Sequence, residues 1–375
     1  MAFKFNFTNE DLDLEDNEEN QQLESSLHDL SIDEKKEELN QIPSREYNIL
    51  SSPLPSVIQA DILHIPTLEK TLFKRTLADV KFQMAEQDNL VDDTQENDVV
   101  NMLNLSGNSD LIKGVYEGGF KTWECSIDMV QYLSGLPEEQ ITNKRVLELG
   151  CGSSLPSLYL LSHSNTNRVD VQDYNDQVIR YITIPNILLN TVLTVQEPAS
   201  SSSTIVLDEE KQEEQEDSDS EVDSEDEEDE GEEKRIEEDV DTCDAEAEIS
   251  SENIPTMLQQ LSSRTRAFVG DWSSLPAQLN VDHEKYDMIV TSETIYAEHA
   301  LPDLISVFQK ALKKPAGVCY VAAKTVYFGV GGGILPFCNL LVKTQDDDGD
   351  KLKYEKVFES ASTVKREILR ISWDL

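Results

Sequence analysis

Basic residues are scarce in this chain. Lys and Arg total 31 of 375 residues against 75 Asp and Glu, a formal net charge of −44 at pH 7. Phosphate backbones are neutralised by clustered cations, so this balance argues against direct nucleic-acid binding and favours a basic protein as partner. Cysteines are few: Cys125, Cys151, Cys243, Cys319 and Cys338 are odd in number and form no CxxC pair. That excludes a zinc ribbon and speaks against a disulfide framework. His28, His64, His163, His283 and His299 show no metal-ligand spacing, so no metal is expected. Nowhere do about eighteen apolar residues run together, so no membrane-spanning helix is expected. The start, Met1 to Asn6, turns acidic where a signal peptide needs an apolar stretch. The expectation is a monomer in a reducing compartment, cytoplasmic and nuclear, without membrane contact.

Hydrophobic residues make up 38% of the chain, low for a fully folded protein of this length, and the deficit is local. Residues 1–45 are acidic and polar, with too little apolar surface to offset the entropy of ordering, and read as a disordered tail. Residues 46–113 mix short apolar runs with turn residues and read as an extension partly packed on the domain downstream of it. From Asp208 to Asp241, 22 acids face 3 basic residues, a net of −19. Like charges in such a block repel, so residues 195–258 read as a disordered acidic insert.

Either side of that insert, strands alternate with helices from about residue 114 to the C-terminus. Strands are expected at Lys144–Leu149, Arg168–Gln172, Arg266–Val269, Tyr286–Val290, Gly317–Ala323, Leu352–Phe358 and Glu367–Trp373. Helices are expected at Leu155–Leu161, Gln177–Asn190, Leu301–Leu312 and Ile334–Val342. This alternation gives an α/β fold with a parallel sheet covered on both faces, Rossmann-like and seven-stranded.

Glu148-Leu149-Gly150-Cys151-Gly152 closes the first of these strands. Glycines there let a backbone approach a ligand at the strand's carboxyl end. The third glycine of a dinucleotide fingerprint is missing, with Ser154, Leu155 and Pro156 in its region. S-adenosylmethionine has no pyrophosphate to seat on a helix N-terminus, so the loop suits a sulfonium nucleoside. Asp173 follows Gly150 by twenty-three residues, placed to accept from ribose hydroxyls. An acid there can also cap the next helix, as Asn175 or Asp176 can. Gly270-Asp271-Trp272 ends the strand after the insert, where an acid can accept from an adenine amine and a Trp can form an apolar wall. Thr291-Ser292-Glu293-Thr294-Ile295-Tyr296 closes the following strand. That stretch reads equally as substrate-side chemistry and as helix capping by Ser292 and Thr294.

Val115-Tyr116-Glu117-Gly118-Gly119-Phe120-Lys121-Thr122-Trp123-Glu124-Cys125 lies upstream of the glycine loop. With Gln172-Asp173-Tyr174-Asn175, the Thr291–Tyr296 stretch and Tyr327-Phe328-Gly329-Val330-Gly331-Gly332-Gly333, it resembles the seven-β-strand protein methyltransferases that modify lysine or histidine. The wording is most similar to their eukaryotic, histidine-directed branch, over roughly Asp110 to Ser372 without the insert. The resemblance implies a class I S-adenosylmethionine-dependent fold. It also implies S-adenosyl-L-methionine as cofactor and, as partner, a large-subunit ribosomal protein, the third in its series. It would set Thr122, Trp123, Glu124, Cys125 and Ser126 along the methionine end. Gly150, Cys151 and Gly152 would face the methionine moiety, with Glu148 also among the cofactor-binding residues, and Gln172, Asp173 and Tyr174 the ribose and adenine. Gly270, Asp271 and Trp272 would face the base, and Ser292 the transferring group. Ser154 departs from the family, which commonly has Gly there, and the acidic insert is longer than the family needs.

An imidazole with a pKa near 6.5 is largely neutral at pH 7 and needs orientation; a lysine near 10.4 needs a proton removed. Glu293 and Tyr296 are the expected catalytic residues, either of which would hydrogen-bond the far imidazole N–H. Two other readings stand beside this one: a lysine-directed enzyme of the same family, and a non-enzymatic acidic binder of basic ribosomal proteins.

Overall fold

The computed structural model describes residues 42–88, 118–196, 244–281, 283–327, 329 and 331–375. Residues 1–41 of the expected acidic tail and the middle of the expected insert lie outside the described residues, whereas the tail's last residues are described and Arg45 begins a strand. In chain order the elements are β1 (Arg45–Tyr47), β2 (Val57–Leu63), β3 (Leu72–Arg75), α1 (Leu77–Asp88), α2 (Glu124–Ser134), β4 (Arg145–Leu149) and α3 (Leu155–His163). Then come β5 (Arg168–Asp173), a π-helical turn (Ile179–Thr183) running into α4 (Ile184–Thr191), β6 (Ala245–Glu248), α5 (Ile254–Ser262), β7 (Ala267–Val269) and β8 (Met288–Ser292). The chain finishes with α6 (Leu301–Ala311), β9 (Val318–Lys324), α7 (Ile334–Leu341), β10 (Lys351–Glu359) and β11 (Arg366–Asp374).

The large sheet has the order β1-β7-β5-β4-β8-β9-β11-β10. β7, β5, β4, β8 and β9 run parallel, while β11 is antiparallel to β9 and β10 on its two sides. Central strands covered on both faces are largely apolar, and Val146, Leu147, Leu149, Ile289 and Val290 are each fully buried. The strand order reverses between β4 and β8, opening a crevice at their carboxyl ends. Helices follow the expected periodicity: in α2, Cys125, Met129, Val130 and Leu133 form one buried stripe, the spacing of an amphipathic helix facing a core.

Seven of these eight strands are those expected from the sequence. The eighth, β1, pairs antiparallel with β7, Arg45 opposite Val269. The chain from Ile42 therefore contributes to the sheet itself, rather than only an extension from residue 46 packing on it. Three residues are too few to display a period of two, and the pairing is carried by backbone. A second correction concerns the insert. The expected disorder to residue 258 runs too far, because β6 and α5 are folded. β6 reads Ala-Glu-Ala-Glu with the alanines buried and the glutamates exposed. Its buried face carries only methyl groups, so the acidic alternation masked a strand. β6 and β3 flank β2 in a separate three-stranded sheet.

That small sheet is tied to the helix behind the glycine loop. Arg75, 1% exposed, pairs with Asp79 at 2.6 Å and donates to the Tyr181 carbonyl at 2.9 Å. Tyr181 lies inside the π-helical turn, where the regular hydrogen-bond ladder is interrupted. Asn186 Oδ1 accepts from the Arg75 backbone N–H at 2.8 Å, and Asn186 Nδ2 donates to the Ser153 carbonyl at 3.0 Å.

Candidate active site

The loop after β4 takes left-handed backbone at Gly150 (φ +58°), Gly152 (φ +49°) and Ser154 (φ +62°). A Cβ at Gly150 would stand 2.5 Å from Thr294 Cγ2, so only glycine fits against the loop after β8. Ser154 explains the departure seen in the sequence. A glycine is favoured at that backbone conformation, and Ser154 instead donates its hydroxyl to Glu148 Oε2 at 3.1 Å.

Glu148 was expected among the cofactor-binding residues, and the structure places it behind the loop. Its Oε2 accepts from Ser154 Oγ, Ser157 N at 3.0 Å and Ser157 Oγ, closing the start of α3. Burial pushes its carboxyl up to about 7, against the lowering effect of the serine bonds. Cys151 also turns inward: its thiol lies 3.5 Å from Thr183 Oγ1, and burial followed by the nearby Asp173 charge holds it well above the usual thiol range. Only the Cys151 backbone is presented on the loop.

Gln172 and Asp173 end β5 and grip that loop. Gln172 Oε1 accepts from Gly150 N at 3.2 Å and from the Trp272 indole N–H at 2.8 Å, while its Nε2 donates to the Gly270 carbonyl at 2.7 Å. One amide thus joins the ends of β4, β5 and β7. Asp173 Oδ2 accepts from Gly152 N at 2.9 Å and Oδ1 from Asn175 N at 3.1 Å. It serves the local turn and the glycine loop together, so the ribose-facing and turn-forming readings are compatible. Tyr174 follows it, half-buried.

Gly270 (φ +105°) has no room for a Cβ, which would meet the Ile42 carbonyl at 2.6 Å. Asp271 Oδ1 accepts from Ser273 Oγ, Ser274 N and Ser274 Oγ. These bonds close a turn, a structural role the sequence reading did not assign to Asp271. The Trp272 ring edge lies 4.0 Å from the space a Gly150 side chain would take, beside the glycine loop.

The segment before α2 contributes unevenly. Gly119 packs on the glycine loop, its carbonyl 3.2 Å from the Cβ position of Gly152. Trp123 is anchored by its indole N–H to the Gly118 carbonyl at 3.1 Å, and Thr122 Oγ1 is buried without a partner. Glu124 points away and pairs with Arg366 at 3.0 Å. Ser126 donates to the Trp123 carbonyl at 2.6 Å. Neither side chain faces the crevice as expected.

At the end of β8, Ser292 Oγ is buried without a partner, which the capping reading does not explain. Glu293 follows in left-handed backbone, φ +58°, a strained conformation for a residue with a side chain. The Tyr327 hydroxyl donates to Glu293 Oε2 at 2.6 Å and accepts from Lys324 N at 3.2 Å. Glu293 Oε1 is buried and makes no hydrogen bond; the Lys324 ammonium stands 3.8 Å away as its ion-pair partner. Cys125 lies beside this carboxylate, and burial first, then the Glu293 charge, holds its thiol protonated. The same two causes push Tyr327 far up, so its proton stays on the bond to Glu293. Tyr296 sets its ring at 64° to Tyr327, centroids 6.3 Å apart. Gly332 N and Gly333 N donate to the Tyr296 and Ile295 carbonyls, each at 2.9 Å, so the glycine-rich tail clasps this loop.

Lys324 was missed in the sequence. Its signal was position: it is the last residue of β9, at the same sheet edge as Gly150, Asp173 and Ser292.

Residues 238–327 match a family described as lysine methyltransferase. "Histidine protein methyltransferase 1" of Schizosaccharomyces pombe is 33% identical over 294 residues, 75% of this chain and 71% of that protein. The Saccharomyces cerevisiae protein of the same name is 29% identical over 99% of this chain and 98% of its own. The Dictyostelium discoideum homologue is 34% identical over 63% of this chain, which spans about half (53%) of that protein's length.

Proposed function

This chain belongs to the histidine protein methyltransferase family and is an S-adenosylmethionine-dependent methyltransferase, and on that premise we propose that it methylates a histidine imidazole in a basic protein. The observation that carries the reading is Glu293 Oε1, a buried acceptor that makes no hydrogen bond, beside the unpartnered Ser292 hydroxyl at the end of β8.

The crevice residues fit the cofactor. Gly150 and Gly152 offer backbone with no side chain in the way, and the buried, unpartnered hydroxyls of Thr122 and Ser292 suit its polar methionine end. Asp173 suits its ribose diol, and Trp272 its base. The cofactor supplies an electrophilic methyl on a sulfonium sulfur. Alignment of nucleophile, methyl and leaving sulfur is what the protein contributes. Glu293 Oε1 accepts the N–H of the far imidazole nitrogen, which fixes the tautomer that presents a lone pair on the near one. The same carboxylate offsets the positive charge that develops on the ring and holds the proton the product sheds. Tyr327 keeps Glu293 oriented, and Tyr296 walls the ring.

The acceptor protein in this reading is a large-subunit ribosomal protein, the third in its series. Support comes from the sequence resemblance and from the charge of −44, which speeds encounter with a cationic partner at low salt. The test is transfer of labelled methyl from S-adenosylmethionine into ribosomes from cells lacking the enzyme, followed by hydrolysis. Methylhistidine in one large-subunit protein is the expected product. Methyllysine would overturn the acceptor, and no transfer despite cofactor binding would favour a binding protein.

A further inference from the structure

We infer that Lys324 is a specificity-determining residue, excluding the ammonium of a lysine side chain from the acceptor position; this rests on the histidine reading above.

Lys324 is held at the crevice rather than waving over it. Its ammonium lies 5.2 Å from the centre of the Trp123 ring and 6.0 Å from that of Tyr327, and its side chain is only 24% exposed. Aromatic faces attract a cation at this range. Its one ion pair among the described residues is with Glu293, Nζ to Oε1 at 3.8 Å. A second cation, Lys121, stands 5.0 Å from the same Trp123 ring.

Glu293 is the carboxylate next to the place where an acceptor must stand. A lysine acceptor arrives as ammonium near neutral pH and needs that carboxylate both to bind it and to draw off its proton. Lys324 already balances Glu293 and brings a like charge to the spot. Such repulsion, partly screened, is worth about ten- to a hundredfold in binding. An imidazole meets no such barrier. As its lone pair forms the N–CH₃ bond, the C–S bond breaks and its electron pair stays on sulfur. The reacting pair carries one positive charge before the step and one after it, until the ring N–H proton leaves to Glu293 and solvent. With an ammonium, the pair would begin with two.

The test uses the full chain, the acceptor protein identified by labelling, and that acceptor with its target histidine replaced by lysine. Wild type should label only the histidine form. Lys324→Met should raise lysine labelling relative to histidine at least tenfold, more strongly as pH rises toward 9. Lys324→Arg, which keeps the charge, should retain discrimination. Cofactor binding by calorimetry reports that each variant is folded. An unchanged histidine-to-lysine ratio in Lys324→Met, with cofactor binding intact, overturns the inference. Loss of discrimination in Lys324→Arg overturns it too, since shape would then be deciding. Methyllysine made by the wild-type enzyme in the unaltered acceptor would instead defeat the acceptor reading itself, whereas wild-type labelling of the lysine form overturns the inference.

Discussion

Gln172 Oε1 accepts from the Trp272 indole N–H at 2.8 Å, so one side chain at the end of β5 sets the loop beyond β7. Its other bonds reach Gly150 N and the Gly270 carbonyl. Gln172→Leu keeps much of the volume and leaves all three groups without their partner. Each unmet buried group costs about 1–3 kcal/mol. Cofactor affinity should fall at least about tenfold, measured by calorimetry, with a lowered melting temperature. Unchanged affinity would mean the three loops hold their places without it.

Gly150→Ala should abolish cofactor binding. The new methyl would sit 2.5 Å from Thr294 Cγ2, and the left-handed backbone adds about 1–2 kcal/mol. Adding Thr294→Ser removes that contact and should restore part of the binding. No rescue in the double variant would show that the backbone, not the clash, is decisive.

The roles given to Glu293 and Tyr327 separate in steady-state kinetics. Glu293→Gln should lower kcat by about 10²- to 10⁴-fold, as for loss of a general base, leaving cofactor affinity intact. Tyr327→Phe removes the bond that orients Glu293 and should cost about tenfold, with Glu293 still present. Equal losses in the two variants would place Tyr327 in the reaction rather than behind it.

Glu148 gives the fold a pH dependence of its own. Its folded-state pKa, about 7, lies above its ordinary 4.5. Between those values the folded protein keeps a proton that the unfolded chain has lost, so stability falls as pH rises through that window. The loss should be of order 1–3 kcal/mol. All three bonds to Glu148 reach one oxygen, which a glutamine oxygen can accept equally. Glu148→Gln should therefore flatten the melting temperature against pH between 5 and 7. A slope unchanged from wild type would assign it to another group.

Legibility in the sequence followed the size of each signal. The apolar runs of β4, β8 and β9, broken in β4 only by Glu148, announced a buried parallel sheet, and the glycine loop with Asp173 marked the crevice. Residue type alone could not tell which way Glu148, Cys151, Glu124 and Ser126 turn, since direction is set by partners such as Ser157, Thr183 and Arg366 that are distant or unremarkable in sequence. Lys324 was hidden because a lysine ending a strand is ordinary until Trp123, Tyr327 and Glu293 are seen around it. The π-helical turn left no trace, because the carbonyl it frees is answered by Arg75, more than a hundred residues earlier.

At the small sheet, Gln196 N donates to the Glu246 carbonyl at 2.8 Å and Glu246 N returns the bond to Gln196 at 3.0 Å. The chain departs from the catalytic body and rejoins it through one closed gate. Closing a longer loop costs only about 0.6 kcal/mol per doubling of its length. Added length between Gln196 and Glu246 therefore weighs little on the stability of the fold that holds Gly150, Gln172 and Glu293.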